Sequence, residues 1–158
     1  MVSKYDVFYV IATKGETKVS DIVEAMHKPK VEYKSIFNHV MELHKSGYII
    51  KYNIIKVVHN EKSVKLFRLI SFCINNRINY NLMFKKTMLK FLEKAAKKEF
   101  FTIKDVKVHH QTFNLYVNAL ARYGFLLILS KKPFKCKLLR HHFLMDLTGF
   151  FGIKLIFY

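Results

Sequence analysis

Residues 33–49 decide how this sequence is expected to fold, and they read YKSIFNHVMELHKSGYI. Three apolar residues recur in this stretch at i, i+4 and i+7, which is the spacing of the buried side of a helix: Ile36, Val40 and Leu43. Gly47 follows as the residue type that commonly ends a helix. The next residues are aromatic and β-branched, as is typical of a strand. The stretch therefore predicts a helix over residues 31–46 and a strand directly after it.

The residues before this stretch predict two shorter helices. Residues 4–13 form an apolar-sided helix ended by Gly15, and residues 17–19 are a short extended piece. Ser20 is expected to cap a second helix, which carries acidic residues in its first turn and ends at Pro29.

The residues after it predict a β-hairpin. A first strand is expected over residues 48–58, a polar turn over 59–63 and a second strand over 64–70. The order is helix, short strand, helix, turn, helix, hairpin.

The same order returns in the second half of the chain. We predict helices over residues 82–98 and 110–123, with a short extended piece between them at Phe101. A second hairpin follows over residues 125–140, with its turn at 131–135. In register, Ile36, Val40, Leu43 and Gly47 correspond to Phe113, Val117, Leu120 and Gly124, which indicates a degenerate internal repeat.

The motif in residues 33–49 resembles the recognition helix and following strand of winged helix-turn-helix transcription regulators. Its copy at Tyr116–Leu126 matches the apolar and glycine positions but lacks the histidine that stands at His39. The resemblance implies an α+β, mostly helical fold of two tandem winged helix domains, each a three-helix core with a β-hairpin wing. The expected division is 1–70 for the first domain, 71–81 for a connector, 82–145 for the second domain and 146–158 for an apolar C-terminal tail.

The charge balance points to a polyanionic partner. The chain has 28 lysines and arginines against 11 aspartates and glutamates, for a net charge of +17. Residues 71–158 hold 16 of the basic and 4 of the acidic side chains, so most of the excess lies in the second half. Such a field attracts phosphates over long range, and double-stranded DNA is the expected partner.

The resemblance places the DNA contacts on two helices and two wings. In winged helices the third helix enters the major groove and its outward side meets the bases. The candidate contacts on the first copy of that helix are Lys34, Ser35, Asn38 and Lys45, and Met41 shares their outward side. Those on the second copy are His110, Gln111, Asn114 and Asn118, in which amides supply both the donors and the acceptors that base edges require. The lysines assigned to the wings are Lys62, Lys65, Lys131, Lys132, Lys135 and Lys137.

Two other functions remain open on the sequence. A winged helix pair can serve as a protein-interaction or scaffold module, and the apolar tail 146–158 would then bury itself in a partner, most simply a second copy. A homodimer through this tail is therefore a possible partner arrangement. A basic peripheral membrane protein has less support, because no basic amphipathic helix stands apart from the core.

The sequence gives little sign of chemistry. Cys73 and Cys136 are far apart and are expected to be buried free thiols in a reducing cytosol. The pairs His109-His110 and His141-His142 lack the ligand spacing of a zinc finger, and no phosphate-binding loop or nucleophile elbow occurs. We expect no enzyme, no metal and no cofactor. Without a signal peptide or a membrane-spanning stretch, the expected location is the cytoplasm.

Overall fold

The computed structural model describes residues 2–26 and 33–158. The chain is α+β and mostly helical, with two small antiparallel sheets of two strands each in the described residues. It divides into two compact units, Met1–Ser71 and Phe72–Tyr158, which we call unit 1 and unit 2.

Unit 1 is built on three helices and a hairpin. Its elements are α1 (Lys4–Lys14), α2 (Val19–Ala25), α3 (Tyr33–Lys45), β1 (Ile49–Lys51), β2 (Ile55–Val57) and the start of α4 (Glu61–Asn75). Ser3 caps α1, since its hydroxyl accepts from the backbone N–H of Asp6 at 3.1 Å. The fully buried side chains of the three helices form the core: Val7, Phe8, Ile11, Ile22, Ile36, Val40 and Leu43.

Unit 2 repeats this order with more aromatic packing. It holds the end of α4, then α5 (Tyr80–Met83), α6 (Lys86–Ala96), α7 (Ile103–Val106), α8 (His110–Arg122), β3 (Leu126–Lys131), β4 (Phe134–Leu138) and α9 (His142–Phe150). Phe91 packs edge-on against Phe101, with ring centroids 5.7 Å apart, and lies 6.2 Å from Phe113. All three rings are buried.

Each hairpin is joined by one residue from an earlier part of its own unit. Thr17 pairs with Ile55 of β2 through two backbone hydrogen bonds of 3.0 and 2.8 Å. Phe101 pairs with Cys136 of β4 in the same way, at 2.8 and 2.9 Å. The two short extended pieces predicted from the sequence therefore occupy equivalent places in the two units.

The core positions predicted from the repeat are confirmed. Ile36, Val40 and Leu43 are buried in unit 1, as are Phe113, Val117 and Leu120 in unit 2. The glycines that follow the two long helices have positive φ values, 83° at Gly47 and 84° at Gly124. A side chain at either position would be strained, which is why glycine ends both helices.

The predicted second strand of the first hairpin is wrong. Residues 64–70 lie in α4, and the hairpin closes earlier through the short tip 52–54. Asn60 caps α4, because its side-chain oxygen accepts from the N–H of Ser63 at 2.9 Å. Four residues then bury one side of the helix at helical spacing: Leu66, Leu69, Ile70 and Cys73.

Smaller boundary errors have similar local causes. Helix α2 begins at Val19, so Ser20 lies inside it and Lys18 takes the cap position. The helix predicted over 82–98 is two helices, α5 and α6, and Asn79 caps α5 by accepting from Leu82 N–H at 3.2 Å. The predicted connector 71–81 contains the end of α4 and the start of α5. Pro29 and residues 31–32 of the predicted third helix lie outside the described residues.

The C-terminal residues are part of unit 2. Residues 142–150 form α9, in which Leu147 and Thr148 are buried. Beyond the helix, Leu155 is 7% exposed and the backbone N–H of Tyr158 donates to the carbonyl of Ala96 at 2.9 Å. This apolar segment therefore packs on its own unit, and Leu147 and Leu155 are buried without a partner.

Candidate nucleic-acid interface

Helix α8 presents a polar side opposite its buried one. Phe113, Val117 and Leu120 hold it in the core of unit 2, and the Tyr116 hydroxyl hydrogen-bonds the Thr87 hydroxyl at 2.5 Å. The predicted contact residues of this helix share the other side: His110, Gln111 and Asn118 are exposed and Asn114 is half-buried. Within the described part of the chain, these four side chains have no hydrogen-bond partner. Their donors and acceptors are therefore available to a ligand.

The second hairpin carries four exposed lysines. Lys131 ends β3, Lys132 lies in the turn, and Lys135 and Lys137 point to the same side of β4, since alternate residues of a strand share a side. The ammonium of Lys135 lies 4.7 Å from the ring centroid of Phe100. Among the described residues none of these lysines forms an ion pair, so their charge is not neutralised within the chain.

Helix α3 presents a different surface at the equivalent place. Its predicted contact residues Lys34, Asn38 and Lys45 are exposed and Ser35 is half-buried. Beside them runs an exposed apolar stripe of Tyr33, Phe37 and Met41, which we call the α3 stripe. Of the stripe, Met41 was predicted on the outward side of this helix, and the exposure of Tyr33 and Phe37 was not predicted, although their i, i+4, i+8 spacing with Met41 is visible in the sequence.

The two lysines predicted on the first wing are not on it. Lys62 and Lys65 lie in the first turns of α4. Lys62 donates to the carbonyl of Ser46 at 2.6 Å, and Lys65 pairs with Glu61 at 2.7 Å. The error follows from the wrong strand at 64–70, which moved the hairpin tip to residues 59–63. The lysines that do lie on β1 and β2 are Lys51 and Lys56.

His39, the histidine of the motif, has a structural contact. Its Nε2 lies 3.0 Å from the carbonyl oxygen of Val2, which ties α3 to the segment that precedes α1. The side chain is half-buried and is not on the outward side of α3 with Asn38.

The titratable groups in the interior of unit 2 are placed for packing. Cys73 and Cys136 are buried free thiols, and burial raises their pKa values to about 12 and about 11. His141 caps α9, accepting from Phe143 N–H at 3.0 Å through Nδ1. Burial and the neighbouring His142, whose ring stacks on it at 4.5 Å, lower the pKa of His141.

The described residues contain neither a cluster of metal-binding side chains nor a helix suited to span a membrane. In residues 2–26 and 33–158 no three histidine, cysteine, aspartate or glutamate side chains gather as a metal site would require. No helix in those residues has the length and apolar content of a membrane span.

No protein-family model matches this chain, and neither the curated proteins nor the solved structures include a significant match.

Proposed function

We propose that this chain is a DNA-binding protein of the winged helix-turn-helix class that acts as a transcription regulator. In this proposal α8 enters the major groove and the lysines of the second hairpin contact phosphates. The class is supported by the order of elements, which in each unit is helix, extended residue, short helix, long helix and hairpin. The two long helices and their hairpins correspond to recognition helices and wings.

The observation that carries the proposal is the polar side of α8, without hydrogen-bond partners in the described residues, in the same unit as four lysines that form no ion pair there. Asn114 and Asn118 are one turn apart on this helix, and an asparagine amide can make two hydrogen bonds to adenine in the major groove. Asparagine is a poor helix former. A solvated helix surface with no ligand would therefore be more stable with lysine or glutamate at these positions.

The lysines of the second hairpin support the same ligand. Like charges that are close together repel one another, and a phosphate backbone relieves that repulsion. Lysine binds phosphate as a point charge and carries little base preference. The hairpin would hold the protein on the duplex while the amides of α8 discriminate between bases.

The test is the salt dependence of binding to duplex DNA. Full-length protein is titrated into a labelled random duplex, and fluorescence anisotropy is recorded at several salt concentrations. If the protein neutralises ~6 phosphates, the affinity falls by ~10³ between about 50 and 200 mM salt. A flat salt response, or equal binding to a neutral polymer, contradicts the proposal. Selection from random duplexes then identifies the preferred sequence.

The residues of α3 enter the proposal as second candidates. Lys34, Asn38 and Lys45 share an exposed side, and they can contact DNA if α3 docks as α8 does. The neighbouring α3 stripe instead favours the alternative function of a protein-interaction module for unit 1. A homodimer through residues 146–158 has less physical basis, because Leu147 and Leu155 are already buried in unit 2.

A further inference from the structure

Helices α3 and α8 are equivalent elements that differ along one stripe. In the repeat register, Tyr33, Phe37 and Met41 of α3 correspond to His110, Asn114 and Asn118 of α8. The three residues of the α3 stripe are 47%, 37% and 40% exposed, respectively. Where unit 2 displays hydrogen-bonding groups, unit 1 therefore displays two aromatic rings and a thioether.

The α3 stripe suits a protein partner better than base edges. When a protein covers a base edge, the base loses its hydrogen bonds to water. A phenylalanine or methionine side chain cannot replace those hydrogen bonds, and each polar group left unpaired has a free-energy cost. Aromatic residues and methionine are the types enriched where one protein contacts another, and methionine adapts to varied apolar partners. The stripe at i, i+4 and i+8 matches the apolar side of a second helix.

The charges around the stripe determine which helix can cover it. Lys34 and Lys45 are exposed on the same helix, and the ammonium of Lys51 lies 5.0 Å from the ring centroid of Phe37. Glu42 is the only acidic residue of α3, and it pairs with Lys4 at 2.9 Å. Within the described residues of α3, Tyr33–Lys45, the stripe is thus bordered by positive charge with no free carboxylate.

A second copy of this chain fits the stripe poorly. Two α3 helices packed through their stripes would bring Lys34, Lys45 and Lys51 of each copy towards those of the other. Like charges across an interface disfavour that partner. An acidic helix would instead pair with all three lysines.

We propose that the α3 stripe docks an amphipathic helix of another protein, in which an apolar side is flanked by aspartates or glutamates. The apolar side covers Tyr33, Phe37 and Met41, and the carboxylates pair with the bordering lysines. This inference rests on the surface of unit 1 and does not require that unit 2 bind DNA. If both hold, unit 2 contacts the duplex while unit 1 recruits the acidic partner.

The test uses a synthetic helix as the probe. One labelled peptide carries leucines at i, i+3, i+4 and i+7 with glutamates beside them, and a second carries the same leucines with lysines. Anisotropy with the full chain is expected to show binding of the glutamate peptide, weakened by salt, and no binding of the lysine peptide. If neither peptide binds, or if both bind equally, the proposal is overturned.

Substitutions in the full chain locate the site. The double change Phe37→Asn and Met41→Asn makes this part of α3 resemble α8. It is expected to reduce the affinity for the glutamate peptide by about tenfold or more, and tenfold is the equivalent of about 1.4 kcal/mol. Met145→Asn in α9 is the matched control, since Met145 is 42% exposed and lies outside both proposed surfaces. It is expected to leave peptide binding unchanged. Equal binding by the double variant overturns the proposal.

A charge reversal gives a second route if the double variant does not fold. Lys34→Glu with Lys45→Glu is expected to abolish binding of the glutamate peptide and to create binding of the lysine peptide. Duplex affinity and sedimentation are measured on the same samples. If the charge-reversed variant loses affinity for the duplex and the native chain binds neither peptide, the stripe is assigned to DNA. A dimer that the Phe37→Asn and Met41→Asn change dissociates assigns the stripe to a second copy. Either outcome refutes the acidic-helix proposal, and neither depends on the amides of α8.

Discussion

The ammonium of Lys62 donates a hydrogen bond to the carbonyl oxygen of Ser46 at 2.6 Å and lies 4.2 Å from the ring centroid of Tyr48. Ser46 directly follows α3, so a positive charge meets the negative end of the helix dipole. Asn60 adds a second contact nearby, donating to the carbonyl of Gly47 at 3.3 Å. The start of α4 is therefore hydrogen-bonded to the end of α3, and Lys62 has a structural role that its charge alone does not reveal.

Replacing Lys62 should weaken folding rather than DNA binding. We expect Lys62→Ala to lower the free energy of unfolding by about 0.5–1 kcal/mol, because it removes a charge at a helix end and a cation–π contact. Urea denaturation measures this change. Lys56→Ala on β2 is the control, since Lys56 is exposed and no contact is found for its side chain in the described chain. Equal stability of the two variants contradicts the structural role.

Base discrimination and phosphate affinity should depend on different residues of unit 2. Asn118→Ala is expected to reduce discrimination between the preferred duplex and others by ~1–3 kcal/mol, because it removes an amide that can pair with a base edge. Non-specific affinity should be retained. Changing Lys131, Lys132 and Lys135 to alanine should instead weaken all duplexes alike and reduce the salt slope by about one for each lost phosphate contact. Competition binding at several salt concentrations measures both effects.

Asn38→Ala provides the matched comparison on α3. If Asn38 also contacts a base edge, its replacement relaxes sequence preference as Asn118→Ala does. If preference relaxes only with Asn38→Ala, α3 is the reading helix and the assignment of α8 is wrong. If it relaxes only with Asn118→Ala, unit 2 reads the DNA alone.

The two cysteines should resist alkylation in the folded chain. The thiolate is the reactive form, and with pKa values of about 12 at Cys73 and about 11 at Cys136, about one thiol in a thousand or fewer is ionised at about pH 8. A thiol reagent should therefore modify neither residue in native buffer. Both should react in denaturant, which is the internal control. Rapid modification of either cysteine before unfolding contradicts the burial.

Unit 2 should lose stability in mild acid through His141. Its pKa in the folded chain is lowered from 6.5, so the unfolded chain takes up this proton first as the pH falls. The contribution of the neutral ring is therefore present above about pH 6.5 and is lost as the pH falls towards the lowered pKa. Protonation also removes the acceptor that caps α9 at Phe143 N–H. Thermal unfolding between about pH 7.5 and 5 measures the effect.

His141→Asn is the control for this pH dependence. Asparagine can accept from the same backbone N–H but does not titrate in this range. The variant should lose less stability than the native chain over the same interval. If the variant and the native chain have the same pH profile of stability, the loss in acid is caused by other groups and not by His141.

The C-terminal residues should contribute to stability rather than to assembly. Leu155→Ala is expected to lower the free energy of unfolding by about 2 kcal/mol, since it empties a buried position. Ile156→Ala is the control, because Ile156 is 59% exposed. Sedimentation of the native chain and of a chain ending at residue 150 should give the same oligomeric state. A dimer that becomes a monomer on truncation would instead support the tail as a subunit contact.

The sequence by itself determined the elements whose signals are local and repeated. Ile36, Val40 and Leu43 lie on one side of any helix that contains them, and Gly47 can adopt a positive φ that other residues avoid. The same pattern at Phe113, Val117, Leu120 and Gly124 therefore identified the second copy. Burial of the two cysteines was also predictable from residue type and context.

Only the tertiary structure decided what lies beside these elements. Residues 64–70 are rich enough in valine, leucine, isoleucine and phenylalanine to suit a strand, and the burial of Leu66, Leu69 and Ile70 at helical spacing depends on the core that α4 meets. That docking also placed Lys62 on the end of α3 instead of on a wing. Periodicity alone cannot say how wide a strip of a helix the core covers. Whether Phe37 and Met41 are packed or exposed follows from contacts between residues distant in sequence, and these contacts left the α3 stripe open.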